Sequence, residues 1–195
     1  MNIYLCGFMG CGKSTVGKIL AEKLSMKFTD MDTAIEDFYK MTVPEIFASY
    51  GEEGFRERET EICRMLSEKD SLIVACGGGA VLRKENVDII KKDGIIVFLK
   101  VPEENLINRL RNDPTPRPVI QNKSDEDILE IYRGRLPKYL EAAEKIVDCC
   151  ENPEENAERI LDAVKEKNMI FTLQKTIDRA EKRYYIKHNK YIREI

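Results

Sequence analysis

A glycine-rich stretch near the start of the chain restricts the possible folds more than any other feature. Residues Gly7 to Thr15 read G-F-M-G-C-G-K-S-T and match the pattern G-x-x-x-x-G-K-[ST] without a gap. An apolar run at 3–6 precedes the stretch and indicates a buried strand, and 16–24 follows with apolar residues at helical spacing. Glycines let the backbone turn its N–H groups inward, and a helix start adds partial positive charge. The sequence therefore predicts an α/β fold built around a phosphate-binding loop.

The side chains of the loop have distinct predicted roles. The Lys13 ammonium reaches the terminal phosphates of a nucleotide, and the Ser14 hydroxyl ligates Mg²⁺. At the variable position Cys11, the backbone N–H matters more than the thiol. A glycine-rich turn that binds nothing is disfavoured, because loop, Lys-Ser pair, strand and helix agree. The predicted nucleotide-binding residues of the loop are Gly10, Cys11, Gly12, Lys13, Ser14 and Thr15.

Composition narrows the class of protein. With 195 residues, the chain supports one well-buried core and at most a small appendage. A net charge of -3 gives no reason to expect nucleic-acid binding, and no apolar run approaches the ~20 residues of a membrane span. The first strand begins within a few residues of Met1, which leaves no room for a signal peptide, so we expect a cytoplasmic protein without membrane contact. The six cysteines are expected to be free thiols.

Two acidic residues end the second predicted strand. Asp30 and Asp32 lie two positions apart in the extended segment 27–32, so their side chains point the same way. In a parallel sheet both lie beside the phosphate loop, where one carboxylate can serve Mg²⁺ and the other a substrate hydroxyl. The alternative for Asp32 is a helix cap in front of Thr33. Because the only histidine, His188, is distant in sequence, any proton acceptor should be a carboxylate.

Three further segments carry candidate site residues, each with a simpler alternative. The charged cluster Arg56 to Glu59 is either a solvated helix face or holds one arginine that turns inward to grip an anionic group. Gly77 to Gly79 follow the apolar strand 71–76, either as a plain turn or as backbone aimed at a ligand. The stretch 112–124 predicts a lid whose Arg117 reaches a transferring phosphoryl group, or a surface loop with an incidental arginine.

Helical patterns fill the segments between these features. Amphipathic helices are predicted at 32–39, 43–49, from 51 to about 68, and at 125–145. The last of these contains Pro137, which lacks the N–H that a helix interior uses. We therefore expect the helix to kink or end there, so that Arg135 stands at a break in the helix.

In this order along the chain, the motifs resemble those of the shikimate kinases, a family within the nucleoside-monophosphate-kinase-like group of P-loop proteins. The resemblance covers about residues 1–165. The loop alone indicates only a nucleotide, whereas the ordered set is specific to this family. Besides the loop, the set consists of F-T-D-M-D at Phe28, G-E-x-x-F-R-x-x-E at Gly51, G-G-G-A-V at Gly77, R-P at Arg117 and R-x-P-x-Y at Arg135.

The resemblance implies both a fold and an activity. The implied fold is a three-layer α/β P-loop kinase fold, with a five-stranded parallel sheet in the order 2-3-1-4-5 flanked by helices. We expect the kinase domain at 1–167, with its lid at about 112–124. The implied activity is ATP-dependent phosphorylation of the 3-hydroxyl of shikimate, which gives shikimate 3-phosphate and ADP in aromatic amino-acid biosynthesis. Mg²⁺ is the implied cofactor.

The resemblance also implies how shikimate is held. By the family pattern, Asp32 binds shikimate hydroxyls and accepts the proton. Arg56 and Arg135 grip the shikimate carboxylate, and Glu59 orients Arg56. The backbone N–H groups that face the substrate belong to Gly77, Gly78 and Gly79.

The implied ATP contacts are divided between the loop, the lid and two other segments. Lys13 and the loop hold the phosphates, while Ser14 and Asp30 hold Mg²⁺, Asp30 either directly or through water. Arg117 comes from the lid to the transferring phosphoryl group. Arg111 stacks on adenine opposite the turn at Asn152 and Pro153.

The segment 168–195 lies beyond the family pattern. Ile170, Leu173, Ile177, Ala180 and Tyr184 recur at helical spacing, which predicts an amphipathic helix rich in lysine and arginine. Three roles stay open for this extension. It docks on its own domain or on a second copy of the chain, it offers a basic face to an anionic partner, or it is a frayed tail. We expect a monomer, with the extension as the place where a dimer or partner contact would form.

Two other functions remain open at this point. A related small-molecule kinase, acting on gluconate or a nucleoside monophosphate, would use the same loop, although the triple glycine and the paired arginines argue against it. A catalytically silent nucleotide-binding module would bind nucleotide without turning over shikimate.

Overall fold

The computed structural model of the chain describes residues 1–113 and 117–165. Its centre is a sheet of five parallel strands, which are β1 (Asn2–Cys6), β2 (Lys27–Asp30), β3 (Leu72–Ala75), β4 (Gly94–Lys100) and β5 (Lys145–Asp148). Across the sheet the strand order is β2-β3-β1-β4-β5. The predicted five-stranded parallel sheet and its strand order are therefore confirmed.

Helices connect the strands and flank the sheet. They are α1 (Lys13–Leu24), α2 (Met31–Tyr39), α3 (Val43–Ser67), α4 (Lys84–Asp93), α5 (Glu103–Asn112), α6 (Asp125–Ala142) and α7 (153–165). Short 3₁₀ turns lie at Ala80–Leu82 and Pro118–Ile120. Within the described residues, none of the helices combines the length and apolar character that a membrane crossing requires.

The register of the sheet determines where the site forms. Every residue of β1 is buried, as expected for a central parallel strand covered on both faces. Ala75 pairs with Leu5 on one side and with Asp30 on the other, so β1, β2 and β3 end at the same edge. The phosphate loop, the Asp30–Asp32 segment and the triple glycine follow these three strand ends. In open α/β sheets this edge is where ligands bind.

The start and the bend of α3 follow from local signals in the sequence. Thr42 and Glu45 form a reciprocal capping box at the start of α3, with Pro44 in its first turn. Gly51, at φ 69° and ψ −175°, bends α3, so the two helices predicted at 43–49 and 51–68 are the two arms of one bent helix. Because only glycine adopts this backbone conformation readily, the bend is encoded locally.

The expectation that Arg135 stands at a helix break is wrong. α6 continues through Pro137 to Ala142. Beyond the proline, Tyr139 is fully buried and its ring stacks on that of Phe98 in β4, with centroids 5.3 Å apart. We attribute the continuity of α6 to this packing, which offsets the helical hydrogen bond that a proline removes.

The lid and the C-terminal extension are described only in part. Within the predicted lid at about 112–124, the structure describes Asn112, Asp113 and 117–124, which include the 3₁₀ turn Pro118–Ile120. The predicted extension 168–195 lies outside the described residues, so the division of the chain at residue 167 stays a prediction.

Candidate active site

A cavity of about 890 Å³ opens at the carboxyl edge of the sheet. Most residues predicted to hold ligands line it, although they come from distant parts of the chain. Arg111 and Asn152 are the two predicted site residues that do not line the cavity. Those that do are Gly10, Cys11, Gly12, Lys13, Ser14, Thr15, Asp30, Asp32, Arg56, Gly77, Gly78, Gly79, Arg117, Arg135 and Pro153.

The phosphate loop has the left-handed backbone that its glycines predict. Gly10 has φ 78° and Gly12 φ 92°, and α1 begins immediately afterwards at Lys13. The Lys13 ammonium donates to the carbonyl oxygens of Gly7 and Phe8, both at 3.0 Å. These two bonds fold the lysine back over the loop and hold its charge beside the start of α1. Both the ammonium and the helix start attract anions to this place.

Asp30 joins the phosphate loop to the start of α2. Its Oδ2 accepts a hydrogen bond of 2.5 Å from the Ser14 hydroxyl, and its Oδ1 accepts from the Asp32 N–H at 3.1 Å. Asp30 is therefore the N-cap of α2, so the alternative in which Asp32 caps this helix is wrong. The Asp32 side chain is left available for another role.

The Asp32 carboxylate is held in a largely water-excluded position. Among the described residues, its buried Oδ1 has no hydrogen-bond partner. Burial raises the pKa of Asp32, and the negative charge of Asp30 raises it further, while Lys13 and Arg56 oppose the rise. A buried acceptor without a donor is costly for stability, which is typical of a group that acts on a ligand.

Arg56 and Glu59 form a buried ion pair one helical turn apart on α3. The Arg56 Nη1 donates to Glu59 Oε2 at 2.8 Å, and only 8% of Arg56 and 0% of Glu59 is exposed. Arg56 also pairs with Glu52 at 3.2 Å. Burial raises the pKa of Glu59 to about 6, although Arg56 opposes the rise. Of the two interpretations of this cluster, the structure therefore supports an arginine that turns inward.

The triple glycine packs directly against these charged groups. A Cβ on Gly77 would lie 2.6 Å from Glu59 Oε1 and 2.8 Å from Asp32 Oδ1, and one on Gly79 would lie 2.3 Å from Arg56 Nη1. No other residue type fits at these two positions without displacing a charged group. The glycines at these two positions allow close approach, since neither has a positive φ that would itself require glycine.

Arg135 lines the opposite wall of the cavity, on α6. Its guanidinium carbon lies 5.9 Å from the centre of the Phe8 ring, at the start of the phosphate loop. One helical turn further on, the Tyr139 hydroxyl donates to the Gly78 carbonyl at 2.5 Å. Arg56 on α3 and Tyr139 on α6 thus contact the glycine segment from two different helices, and Arg135 lines the same cavity.

The arginines around the lid take different positions. Arg117 lines the cavity and forms an ion pair with Asp113 at the end of α5. Arg111 is mostly exposed and pairs with Asp125 at the start of α6. Arg109, which the sequence reasoning missed, lines the cavity instead and approaches Gly12, since a Cβ there would lie 3.6 Å from its Nη1.

The turn before α7 closes the cavity next to Arg109. Asn152 caps α7 by accepting from the Glu154 N–H at 2.9 Å, whereas Pro153 and Asn156 line the cavity. Asn156, which is 2% exposed, clamps Cys150: its Oδ1 accepts from the Cys150 N–H at 2.8 Å and its Nδ2 donates to the Cys150 carbonyl at 2.9 Å. Asn156 was also missed, because no motif recognised in the sequence includes it.

Comparison with known proteins gives consistent results. A family model described as shikimate kinase matches residues 9–165. Shikimate kinase from Prochlorococcus marinus (strain MIT 9211) is 44% identical over 141 residues, which span 72% of this chain and 71% of that protein. Shikimate kinase from Thermodesulfovibrio yellowstonii is 42% identical over 161 residues, 82% of this chain and 92% of that protein.

The chain belongs to the shikimate kinase family.

Solved structures agree with membership of the shikimate kinase family. Shikimate kinase from Acinetobacter baumannii in complex with shikimate has a TM-score of 0.80 and 38% identity, and the match covers 85% of this chain and 93% of that one. A gluconokinase from Sinorhizobium meliloti 1021 matches with a TM-score of 0.56 at 19% identity, which shows a shared fold alone. The resemblance to the shikimate kinases found in the sequence motifs is therefore confirmed, as is the P-loop kinase fold.

Proposed function

We propose that the chain transfers the terminal phosphoryl group of ATP to the 3-hydroxyl of shikimate, giving shikimate 3-phosphate and ADP as a step of aromatic amino-acid biosynthesis. This proposal rests mainly on one observation. The phosphate loop lines the same cavity as two arginines and a carboxylate, namely Arg56, Arg135 and Asp32. Phosphoryl transfer depends mostly on positioning and charge neutralisation, and such a cavity supplies both.

ATP is proposed to occupy the part of the cavity beside α1. The backbone N–H groups of the loop and the Lys13 ammonium hold its phosphates, and Arg117 joins them from the lid. Its adenine is proposed to lie between Arg109 and the turn at Pro153 and Asn156. Arg109 takes the role that the family resemblance gave to Arg111, because Arg109 lines the cavity whereas Arg111 pairs with Asp125.

Mg²⁺ is proposed to bind between the loop and Asp30. The Ser14 hydroxyl and the Asp30 carboxylate are 2.5 Å apart, and both are hard oxygen donors of the kind that Mg²⁺ prefers. The described residues hold no group of three or more histidine, cysteine, aspartate or glutamate side chains able to bind a metal by themselves. This fits an ion that also needs nucleotide phosphates and water as ligands. Bound Mg²⁺ neutralises phosphate charge during transfer.

Shikimate is proposed to occupy the part of the cavity between α3 and α6. A planar guanidinium binds a carboxylate with two parallel hydrogen bonds, so Arg56 and Arg135 suit a small organic acid better than a neutral sugar. Glu59 holds Arg56 in place through the 2.8 Å contact. The backbone N–H groups of Gly77, Gly78 and Gly79 are proposed to face the substrate hydroxyls.

Asp32 is proposed to accept the proton of the 3-hydroxyl. Its pKa is raised by burial, which brings the carboxylate closer in basicity to the operating pH and makes it a better proton acceptor than an exposed aspartate. Its unpartnered Oδ1 offers the lone pair. Asp32 and the phosphate loop line the same cavity, so the proton acceptor and the phosphoryl donor can both reach the substrate hydroxyl.

Two further observations bear on the localisation and the oligomeric state of the enzyme. All six cysteines are free thiols, and five of them are buried, which supports work in the reducing cytoplasm. The phosphate loop, Asp32, Arg56 and Arg135 of a single chain already line one cavity, so the proposed site needs no residue from a second copy. We therefore propose a cytoplasmic enzyme that is active as a monomer.

The deciding experiment is a coupled ADP-release assay with purified protein, ATP, Mg²⁺ and shikimate. We expect ADP release that depends on shikimate, with phosphorus NMR placing the new phosphate on the 3-hydroxyl. Gluconate and nucleoside monophosphates serve as parallel acceptors. Turnover of one of these in place of shikimate would identify a related kinase, and nucleotide binding without any turnover would identify a silent binding module.

A further inference from the structure

We infer that Tyr139 is a positioning residue for shikimate, because its hydroxyl fixes the peptide group that joins Gly78 to Gly79. This inference rests on the proposed function. Tyr139 is fully buried on α6, and its hydroxyl donates to the Gly78 carbonyl at 2.5 Å across 61 positions of sequence. The phenol therefore connects α6, which also carries Arg135, with the glycine segment that follows β3.

The glycine segment depends on this contact for its middle carbonyl. The carbonyls on either side are held by the segment's own turn, since the Ala80 N–H donates to the Gly77 oxygen at 3.1 Å and the Leu82 N–H donates to the Gly79 oxygen at 3.0 Å. The Gly78 carbonyl is held from α6 by Tyr139. Glycines have no side chains to restrict their backbone, so an outside hydrogen bond has more influence here than elsewhere.

The bond to the Gly78 carbonyl also determines the direction in which the Gly79 N–H points. A trans peptide group is planar, and its C=O and N–H point to opposite sides. With the Gly78 oxygen held toward α6, the Gly79 N–H is directed away from that helix. The Arg56 guanidinium packs on Gly79, within 2.4 Å of where a Cβ would lie. The Gly78–Gly79 peptide group therefore lies next to both the Tyr139 hydroxyl, which holds it, and an arginine proposed to bind the substrate carboxylate.

The charge of Arg135 also acts on this phenol. Burial raises the pKa of Tyr139, and the positive charge of Arg135, one helical turn away, opposes that rise. A phenol polarised by a nearby cation is a stronger donor, so Arg135 strengthens the bond from Tyr139 to Gly78. The ring stacks on Phe98, which keeps the hydroxyl in place.

The test is Tyr139→Phe, which keeps the stacked ring and removes only the hydroxyl. We expect the KM for shikimate to rise about 10-fold, because the Gly78 carbonyl loses its donor, while the KM for ATP stays within about twofold. The matched control is Tyr132→Phe. Tyr132 is also buried on α6 and packs edge-on against Phe8, and we expect both KM values to be unchanged. An unchanged shikimate KM in Tyr139→Phe, or an equal rise in both KM values, would overturn the inference.

A second comparison separates action through the glycine segment from action through Arg135 alone. In an Arg135→Lys background, Tyr139→Phe should still raise the KM for shikimate by the same factor, because the Gly78 carbonyl is again left without its donor. If Tyr139→Phe no longer raises this KM in that background, Tyr139 does not act through the glycine segment. If wild type itself fails to turn over shikimate, the proposed function fails, whereas an active wild type with an insensitive Tyr139→Phe variant refutes this inference alone.

A measurement on wild type covers the case in which Tyr139→Phe does not fold. Protein labelled with ¹⁵N-glycine contains 11 glycines, few enough to assign each amide resonance. We expect added shikimate to shift the Gly79 amide more than that of Gly134, an exposed glycine on α6. An unshifted Gly79 amide at saturating shikimate would also refute the inference.

Discussion

The phosphate loop and the pocket between α3 and α6 share one cavity, but the chain builds them differently. The loop is contiguous, 7–15, and presents backbone N–H groups with a single charged side chain, Lys13. The pocket draws Asp32, Arg56, the glycine segment and Arg135 from four distant segments, and it relies on buried charges. Its charges are also incompletely paired, because one oxygen of Asp32 and one of Glu59 have no hydrogen-bond partner among the described residues.

The specificity of the site is therefore expected in the pocket and not in the loop. Backbone N–H groups and a helix start bind phosphates of any nucleotide, and they cost little to maintain because the local fold satisfies them. Buried carboxylates and guanidinium groups destabilise the fold unless they are paired, so they persist where a ligand completes them. Substitutions in the pocket should therefore impair shikimate use and leave ATP binding nearly intact.

The largest expected effect is that of Asp32→Asn. The amide has almost the same shape but cannot accept the proton, so we expect kcat to fall by about 10³-fold. ATP affinity, measured by calorimetry, should stay within about twofold of wild type. A variant that turns over shikimate at the wild-type rate would remove Asp32 from the mechanism.

The next largest effect is expected on removal of Arg135, which is proposed to bind the shikimate carboxylate. Arg135→Ala should raise the KM for shikimate about 50-fold, because a charged hydrogen-bond donor to the carboxylate is lost. The KM for ATP should change far less, although Arg135 also lies near Phe8 of the loop. Equal rises in the two KM values would mean that loop and pocket are not separable at this residue.

Close approach of the backbone can be tested at Gly77. A methyl group there would meet Glu59 Oε1 and Asp32 Oδ1 at 2.6 Å and 2.8 Å, so Gly77→Ala should lower kcat/KM for shikimate about 30-fold. The matched control is Gly134→Ala, since nothing lies within 4 Å of a Cβ at Gly134 on α6. The control should keep wild-type kinetics and gain about 0.5–1 kcal/mol of stability. Similar losses in both variants would contradict the packing argument.

The smallest effect concerns pH. Burial raises the pKa of Glu59 to about 6, so protonation below that pH weakens its hold on Arg56. We expect the KM for shikimate, measured at saturating ATP and Mg²⁺, to rise up to about tenfold between pH 6 and pH 5. In Glu59→Gln this part of the pH dependence should disappear. A profile identical to that of wild type would exclude Glu59 as its source.

Protonation of Glu59, which should weaken shikimate binding, should by contrast stabilise the fold. The folded pKa of Glu59, about 6, lies above the ordinary 4.5, so the folded chain binds more protons than the unfolded chain between these values. The contribution of Glu59 to the free energy of unfolding therefore increases as pH falls through this window and decreases as pH rises. Denaturant unfolding of wild type and Glu59→Gln at pH 5 and pH 7 measures this difference.

The sequence predicted the loop better than the pocket, for a physical reason. Strand, glycines, Lys13 and Ser14 are adjacent in the chain, so short-range rules suffice to place them. The strand order and the inward position of Arg56 also agreed with what the family resemblance implied. The contact of Tyr139 with Gly78 joins residues 61 positions apart, so the R-x-P-x-Y motif does not by itself predict it. The contacts of Asn156 with Cys150 are local, but no motif recognised in the sequence includes this asparagine.

The different positions of Arg109 and Arg111 have a similar origin. Arg109 and Arg111 are two positions apart on α5, about 200° around the helix axis, so they face opposite directions. Sequence spacing leaves the choice open, whereas the packed helix directs Arg109 to the cavity and Arg111 to Asp125. At Pro137 the reverse holds: a strong local signal for a helix break is overridden by the packing of Tyr139.

The continuity of the cavity has a practical consequence for inhibitor design. Because both compartments open into one space of about 890 Å³, a single compound that joins a nucleotide mimic to a cyclic hydroxy acid by a short tether can occupy both at once. The tether makes the second binding event intramolecular, so affinity increases through effective concentration without any new contact. Selectivity over unrelated ATP-binding proteins would come from the acid half of the compound.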